Sequence, residues 1–395
     1  MGPCRLINTK GVCGANEDVV VARNILRFVA GGTAAHCGHA YHLLKFLGKE
    51  FPEDYIKKKA PPYLFKTWKK LDIIPEIRFE HFKDIAEALH LTTMGVNADY
   101  KEIMKWCIKL GIIDGFYGLY LATELEDNYF GRPKPKEAYL DLGVIKKEKV
   151  NIAVHGHEPM LANALYKESR KHSEINLIGV CCTGASLLAR YGIPLASNVL
   201  LQEDVIATGL IEVMALDLQC IMPSLADIAE CFHTKLVTTN ELCKIPGAIH
   251  LPIKNKEDAR TVAKKIIKIA KENKKNRKKV QENRKQEKQE QKKVKAAVGF
   301  TEDIAEKFAK KIEERKVKGI IAVIGCVNPR VKADWLSTYR KLAKDYIILT
   351  TGCQAFEFGK AGLLDGKRFF HLGSCVNNAC LLYTSDAADE GLGVD

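Results

Sequence analysis

Polar and apolar positions along the chain fall into two textures. From Asp18 to Gly48, DVVVARNILRFVAGGTAAHCGHAYHLLKFLG repeats its apolar residues at helical spacing, and HFKDIAEALHLTTMG and KEIMKWCIKLGIID do the same. Residues 1–148 therefore read as a helical domain, with the Pro-rich break GRPKPKEAY near its end. After Lys149 the pattern changes. VNIAVHGHEP, INLIGVCCTG, KLVTTNE, GIIAVIGC, YIILTTGC and RFFHLGSC are short apolar runs, separated by helical segments such as MLANALYKESRKH and TEDIAEKFAKKIEERK. Apolar strands alternating with helices imply parallel sheets covered on both faces. The expected fold is α/β with an N-terminal all-helical domain. Residues 149–270 form a first Rossmann-like domain and 297–379 a second, incomplete one. Residues 271–296 form a charged connector. The final stretch, 380–395, continues neither pattern and is expected to be foreign to the domain.

Composition adds limits. A chain of 395 residues with 47% apolar residues and 8% aromatics supports two or three packed domains. No run approaches the roughly 20 apolar residues of a membrane span, and the N-terminus lacks a secretory signal, so a cytoplasmic location is expected. The net charge of +13 suggests nucleic acid at first sight. Seven of those charges, however, lie between Lys271 and Val294, where eleven Lys/Arg face four Glu without one aromatic residue to stack on a base. A solvated connector is the simpler reading, and no nucleic-acid partner is expected. Thirteen cysteines are many for a reducing compartment, where metal binding or catalysis explains them better than disulfides. About half of them are expected to be buried core.

In open α/β sheets ligands bind outside the carboxyl ends of the strands. Here those ends read AVHGH, GVCC, VIGC, LTTGC and HLGSC, with Cys220 of LDLQCIMP at a sixth apolar boundary. Each finishes in Cys or His, which suits a soft-metal or iron–sulfur site. A structural zinc site usually draws on close C-x₂-C pairs, which this half lacks, and a cysteine nucleophile needs only one thiol. Cys4 and Cys13 lie among glycines and could supply two thiolates of a further cluster. His36, His39 and His42 recur every third residue along a helix, as buried histidines or as a line of proton carriers.

Taken together, GPCR, KGVCGA, VARNILR, AAHCGH, TMGVNADY, VHGHEP, GVCCTG, DLQCIMPSLADIAECFHTKLVTT, GCVNP, TTGC and HLGSCVNNA resemble, in order and over nearly the whole chain, the anaerobic nickel-dependent carbon monoxide dehydrogenases. The related hybrid-cluster proteins share the architecture but are not expected to combine VHGHEP with CCTG. The resemblance implies oxidation of CO with water to CO₂, two protons and two electrons, reversibly, at a nickel–iron–sulfur cluster of the Ni-4Fe-4S type. It implies that His157 and Cys182 hold the outer iron, that Cys220, Cys326 and Cys353 hold the cubane irons, and that Cys375 binds nickel. CO would bind nickel, with hydroxide on the outer iron as the attacking group. His36 would be the base, with Asp114 orienting it. Cys181 receives no ligand role.

The resemblance further implies a ferredoxin-like electron acceptor, a homodimer and an acetyl-CoA synthase partner. In that family a 4Fe-4S cluster takes four cysteines near the N-terminus, of which Cys4 and Cys13 match the last two, so its ligand set is incomplete here. The spacing from Cys353 to Cys375 is short for the family, and a lysine it uses near nickel, which lies further on, cannot be placed here. The expectation is a fragment truncated at both ends and inactive as it stands. The alternative is an iron–sulfur redox or sensing protein of the hybrid-cluster kind, without CO turnover.

Overall fold

The computed structural model describes residues 4–50, 55–74, 81–282, 293–299, 302–328, 330 and 334–376. The final stretch, 380–395, lies outside them, as does the middle of the charged segment. The chain divides into two compact units, Met1–Leu125 and Glu126–Asp395.

The first unit is helical, with α1 (Glu17–Leu47), α2 (Tyr55–Lys59), α3 (Pro62–Lys70), α4 (His81–Leu91), α5 (Tyr100–Ile113) and a π-helix (Asp114–Tyr120); α6 follows at Leu121–Phe130. Helix α1 is one uninterrupted rod of 31 residues. Asn16 caps it by accepting from the Val19 amide, and Gly48 closes it in the left-handed conformation that glycine adopts without strain. Its buried side, including Leu26, Ala30, Thr33, Cys37, Ala40 and Leu43, lies against α5 and the π-helix.

The second unit is built on strands β1 (Lys136–Leu140), β2 (Val150–Gly156), β3 (Ile175–Val180), β4 (Leu195–Ser197), β5 (Ile211–Leu216), β6 (Lys235–Thr238), β7 (Ile249–His250), β8 (Val294–Val298), β9 (Gly319–Val323), β10 (Tyr346–Thr350) and β11 (Phe369–His371). Between them run α7 (Met160–Ser169), α8 (Cys181–Tyr191), α9 (Gln202–Ala207), α10 (Leu225–Glu230), α11 (Lys256–Glu282), α12 (Glu302–Glu313), α13 (Trp335–Leu342) and α14 (Gly352–Lys360). Strands β2 and β5 are buried throughout because both faces are covered. Alternate residues serve opposite cores: Ile152, Val154, Val213 and Ala215 on one side, Ala153, Met214 and Leu216 on the other.

The two halves expected from the sequence share one eleven-stranded sheet, ordered β7-β6-β5-β2-β3-β4-β1-β8-β11-β10-β9. Pairing is parallel everywhere except at the join, where β1 runs antiparallel to β8 with Lys136 opposite Val298. Strand β1 lies in the Pro-rich break, whose prolines end the helical pattern but leave KEAYL free to extend.

The basic segment also differs from a purely solvated connector. Its first part is the end of α11, which buries Ala263, Ile266, Ile267 and Ala270 against β2 and β5, and fully burying such an isoleucine contributes about 1.5–3 kcal/mol. Two polar residues follow them inward. Asn273 bonds to the carbonyls of Glu212 and His233. The guanidinium of Arg277 pairs with the buried Glu212 carboxylate and donates to the carbonyls of Lys149 and Leu210 at 2.9 Å. Glu212 also accepts from the Asn151 amide and lies 3.1 Å from His233 Nε2.

Two outcomes are expected. Arg277→Ala strands a buried carboxylate and should cost about 3–5 kcal/mol in denaturant unfolding, whereas truncating the exposed Lys268 should cost less than about 0.5 kcal/mol. His371 is fully buried, and burial lowers its imidazole from 6.5 to about 3. Its folded-state value is depressed, so its contribution is complete above pH 6.5 and is lost as pH falls towards 3. Thermal midpoints should therefore fall less steeply between pH 7 and pH 5 in His371→Leu than in the parent chain.

Candidate metal centre

Each predicted ligand follows a strand of the second unit. His157 lies in the loop after β2, Cys182 in the first turn of α8 after β3, and Cys220 in the loop after β5. Cys326 follows β9, Cys353 starts α14 after β10, and Cys375 follows β11. The donor atoms of His157, Cys182 and Cys375, all three buried, lie within 4.8 Å of one another. The Cys220 thiol is close enough to those of Cys326, Cys353 and Cys375 for each to push its pKa upward, after burial itself. Cys326 is the exposed member; burial of its sulfur side and the thiols of Cys375 and Cys353 raise it to about 11.

Local geometry makes this crowding possible. Gly179 of β3 and Gly184 of α8 approach so closely that a Cβ on either would meet the other's backbone, so the Thr-Gly after the cysteine pair lets α8 start directly on the strand. Gly352, at φ +64, leaves the space that the Cys375 sulfur fills. Backbone bonds stitch neighbouring ligand loops together: Gly352 N–H donates to Gly373 at 2.9 Å, and Gln354 N–H to Gly325 at 3.2 Å. Cys181 and Cys220 hold left-handed backbone at φ +53 and +60, a strain of about 1–2 kcal/mol per non-glycine residue.

The adjacent cysteines diverge. Cys182 hydrogen-bonds with Cys375 and shares the space of His157, while Cys181 donates to Cys353 and packs among Val180, Ala196 and Leu216. Both thiols are held well above their ordinary value, Cys181 chiefly by burial and Cys182 chiefly by its bond to Cys375. Cys353 is lowered by the bond it receives from Cys181. Thiols that raise one another by mutual repulsion are poor neighbours as bare thiolates. A bound cation reverses that preference, so this donor set fits a thiophilic metal or cluster.

Three polar side chains that carry no spacing signal in the sequence support the loops. Gln202 accepts from Met222 N–H at 3.0 Å and donates to the Cys220 carbonyl at 3.1 Å. His155, lowered to about 4 by burial, is neutral and donates through Nε2 to Gln202. Asp217, which burial raises to about 7 against its hydrogen bonds, lies three residues before Cys220 and accepts from the His157 amide.

The first unit holds the other predicted residues. His36 Nδ1 and Asp114 Oδ1 are 2.8 Å apart, with Asp114 opening the π-helix. Gly118 of the same π-helix keeps the approach open, since a Cβ there would lie 2.7 Å from that of His36. His39 is buried, whereas His36 and His42 are half-buried, so the three imidazoles do not share one environment. Cys4 and Cys13 are both exposed and border a cavity of about 420 Å³ with Arg23, Arg27 and Met94.

The chain thus has a helical unit and an α/β unit whose strand ends bring thiols and an imidazole together, a donor set that suits a metal-binding protein. The model of the Prismane/CO dehydrogenase family matches residues 1–53 and 43–395, and the chain belongs to that family. It is 32% identical to carbon monoxide dehydrogenase 1 of Methanosarcina acetivorans, with all of this chain and 77% of the relative covered. Carbon monoxide dehydrogenase IV from Carboxydothermus hydrogenoformans superposes with a TM-score of 0.88 at 33% identity, over all of this chain and 78% of the other. A structure with NiZn[Fe4S4] and NiNi[Fe4S4] clusters in closed and open alpha subunits of acetyl-CoA synthase/carbon monoxide dehydrogenase also reaches 0.88, at 26% identity over all of this chain and 74% of that one.

The divergence of the cysteine pair has a direct consequence. Cys182→Ala should lower bound metal by at least one equivalent per chain after anaerobic loading with iron, sulfide and nickel, while Cys181→Ala should retain the parent content in the same elemental analysis.

Proposed function

We propose that the chain is a carbon monoxide dehydrogenase, converting CO and water to CO₂, two protons and two electrons, reversibly. The observation that carries this reading is the meeting of His157, Cys182 and Cys375 donors within 4.8 Å, with Cys220, Cys326 and Cys353 around them, in a chain of this family. His157 and Cys182 would hold an outer iron, Cys220, Cys326 and Cys353 three cubane irons, and Cys375 nickel. When bound, such a nickel–iron–sulfur cluster supplies Lewis acidity towards CO and water and a store for two electrons.

The chain's own groups handle orientation and protons. Asp114 accepts from His36 Nδ1–H, which fixes the tautomer and makes Nε2 the basic nitrogen of the ring. His36 is thus the proposed proton acceptor and Asp114 its orienting partner. Burial of Cys182, Cys353 and Cys375 excludes water from the thiolate side of the site. Cys4 and Cys13 would contribute two thiolates to a 4Fe-4S cluster on the electron path. A ferredoxin-like acceptor, a homodimeric assembly, an acetyl-CoA synthase partner and a cytoplasmic location belong to the same reading. Among the described residues no helix is long and apolar enough to cross a membrane.

Anaerobic loading with iron, sulfide and nickel is the test: viologen reduction under CO bears out the dehydrogenase reading, whereas metal uptake without reduction bears out the inactivity expected from the incomplete ligand sets. His36→Ala should slow that reduction by about 10²–10⁴-fold without loss of metal, and Cys375→Ala should abolish it together with nickel. A chain that binds iron but no nickel, with spectra indifferent to CO, would instead be a redox or sensing protein of the hybrid-cluster kind.

A further inference from the structure

We propose that Asp217 is a positioning residue that sets the distance between His157 and Cys182. This deepens the metal-centre reading above and rests on it. Asp217 is buried at the end of β5, and its two oxygens reach three segments of chain. Oδ1 accepts from the amides of His157 at 2.6 Å and Glu158 at 3.1 Å, in the loop after β2, and from the amide of Leu218, which leads to Cys220. Oδ2 accepts from Thr183 Oγ1–H at 2.6 Å, one residue beyond Cys182 in the first turn of α8. One carboxylate therefore ties the backbone carrying His157 to the helix start carrying Cys182.

The loop is built around that carboxylate. Gly156 adopts φ +137, and a Cβ there would run into Asp217 Oδ1, so the chain passes against the carboxylate only because position 156 has no side chain. The backbone of Gly156 is bridged to Cys181, which fixes the loop and the α8 start on the same rung of the sheet. Without the carboxylate, the buried amides of His157 and Glu158 would lose their acceptor, and the loop would have to move to find another. A shift of that kind changes the spacing of the two donors. Neighbours that orient metal ligands in this way are typically worth 10–100-fold in metal affinity.

The test uses the metal-free, thiol-reduced full chain and cobalt(II), whose thiolate charge-transfer absorption reports binding directly and without turnover. Asp217→Ala should weaken cobalt binding by about 10–100-fold. Asp217→Asn should stay within about threefold of the parent, since its Oδ1 still accepts the three amides and its Nδ2 can donate to Thr183 Oγ1. Thr183→Val, which releases only the α8 arm, should fall between them. Equal affinity in the parent and Asp217→Ala, with unchanged circular dichroism, would overturn the proposal, as would an Asp217→Asn as weak as Asp217→Ala. If Asp217→Ala does not fold, Thr183→Val decides, and parent-like affinity there overturns it. His157→Ala separates the two levels of the argument. If it binds cobalt as well as the parent, the metal-centre reading fails and the role of Asp217 with it.

Discussion

The antiparallel pairing of β1 with β8 is the constraint on which the rest of the second unit depends. Strands β2, β3, β4 and β1 run one way, whereas β8, β11, β10 and β9 run the other. In a flat sheet their carboxyl ends would point to opposite edges, and His157 and Cys182 could never meet Cys375. They do meet, so the sheet is not flat across the join. The packing that holds the join is visible in one core, where Phe356 and Phe358 of α14 lie with Leu140 of β1, Leu195 of β4 and Ala185 and Leu188 of α8. Asn198 adds a polar tie across the same contact by donating to Glu357 at 2.6 Å. Apolar burial thus forces together strand ends that hydrogen bonding alone would separate.

That arrangement has an electrostatic consequence. Cys181, Cys182, Cys220 and Cys326 have raised thiol pKa values, because burial and neighbouring sulfurs both disfavour thiolate. Left-handed backbone at Cys181 and Cys220 adds strain at the same place. A folded state that concentrates such costs at one spot is coupled to whatever cation relieves them, because ligand deprotonation and metal binding are linked. The side chains of Asp217, Gln202 and His155 surround this region with hydrogen bonds, and the charge of Asp217 helps to raise Cys220. They fix loop backbone, leaving the sulfurs turned towards one another.

Charge in the sequence misleads when it is read without depth. Residues 271–277 look like part of a solvated run, yet Asn273 and Arg277 are buried and hold α11 onto β5. The reason is reciprocal: Glu212, near the start of a fully buried strand, needs a cation, and α11 passes within reach of it only after the fold has formed. No periodicity marks that pair, because its members are far apart in the chain and each looks ordinary in its own segment.

By itself the sequence determined what is local. Apolar runs followed by helical spacing identified the strands and helices, and the position of each Cys or His just after a run marked the strand ends, since a strand-to-helix switch is written in neighbouring residues. Only the tertiary structure decided that the two halves share one sheet, that they run in opposite directions, and how near Cys182 comes to His157 and Cys375, a choice over Cys181 that the sequence offered only through resemblance. It also decided that Asp217 reaches three loops. Those outcomes depend on register, curl and depth, which arise from contacts between distant segments, and no local pattern records them.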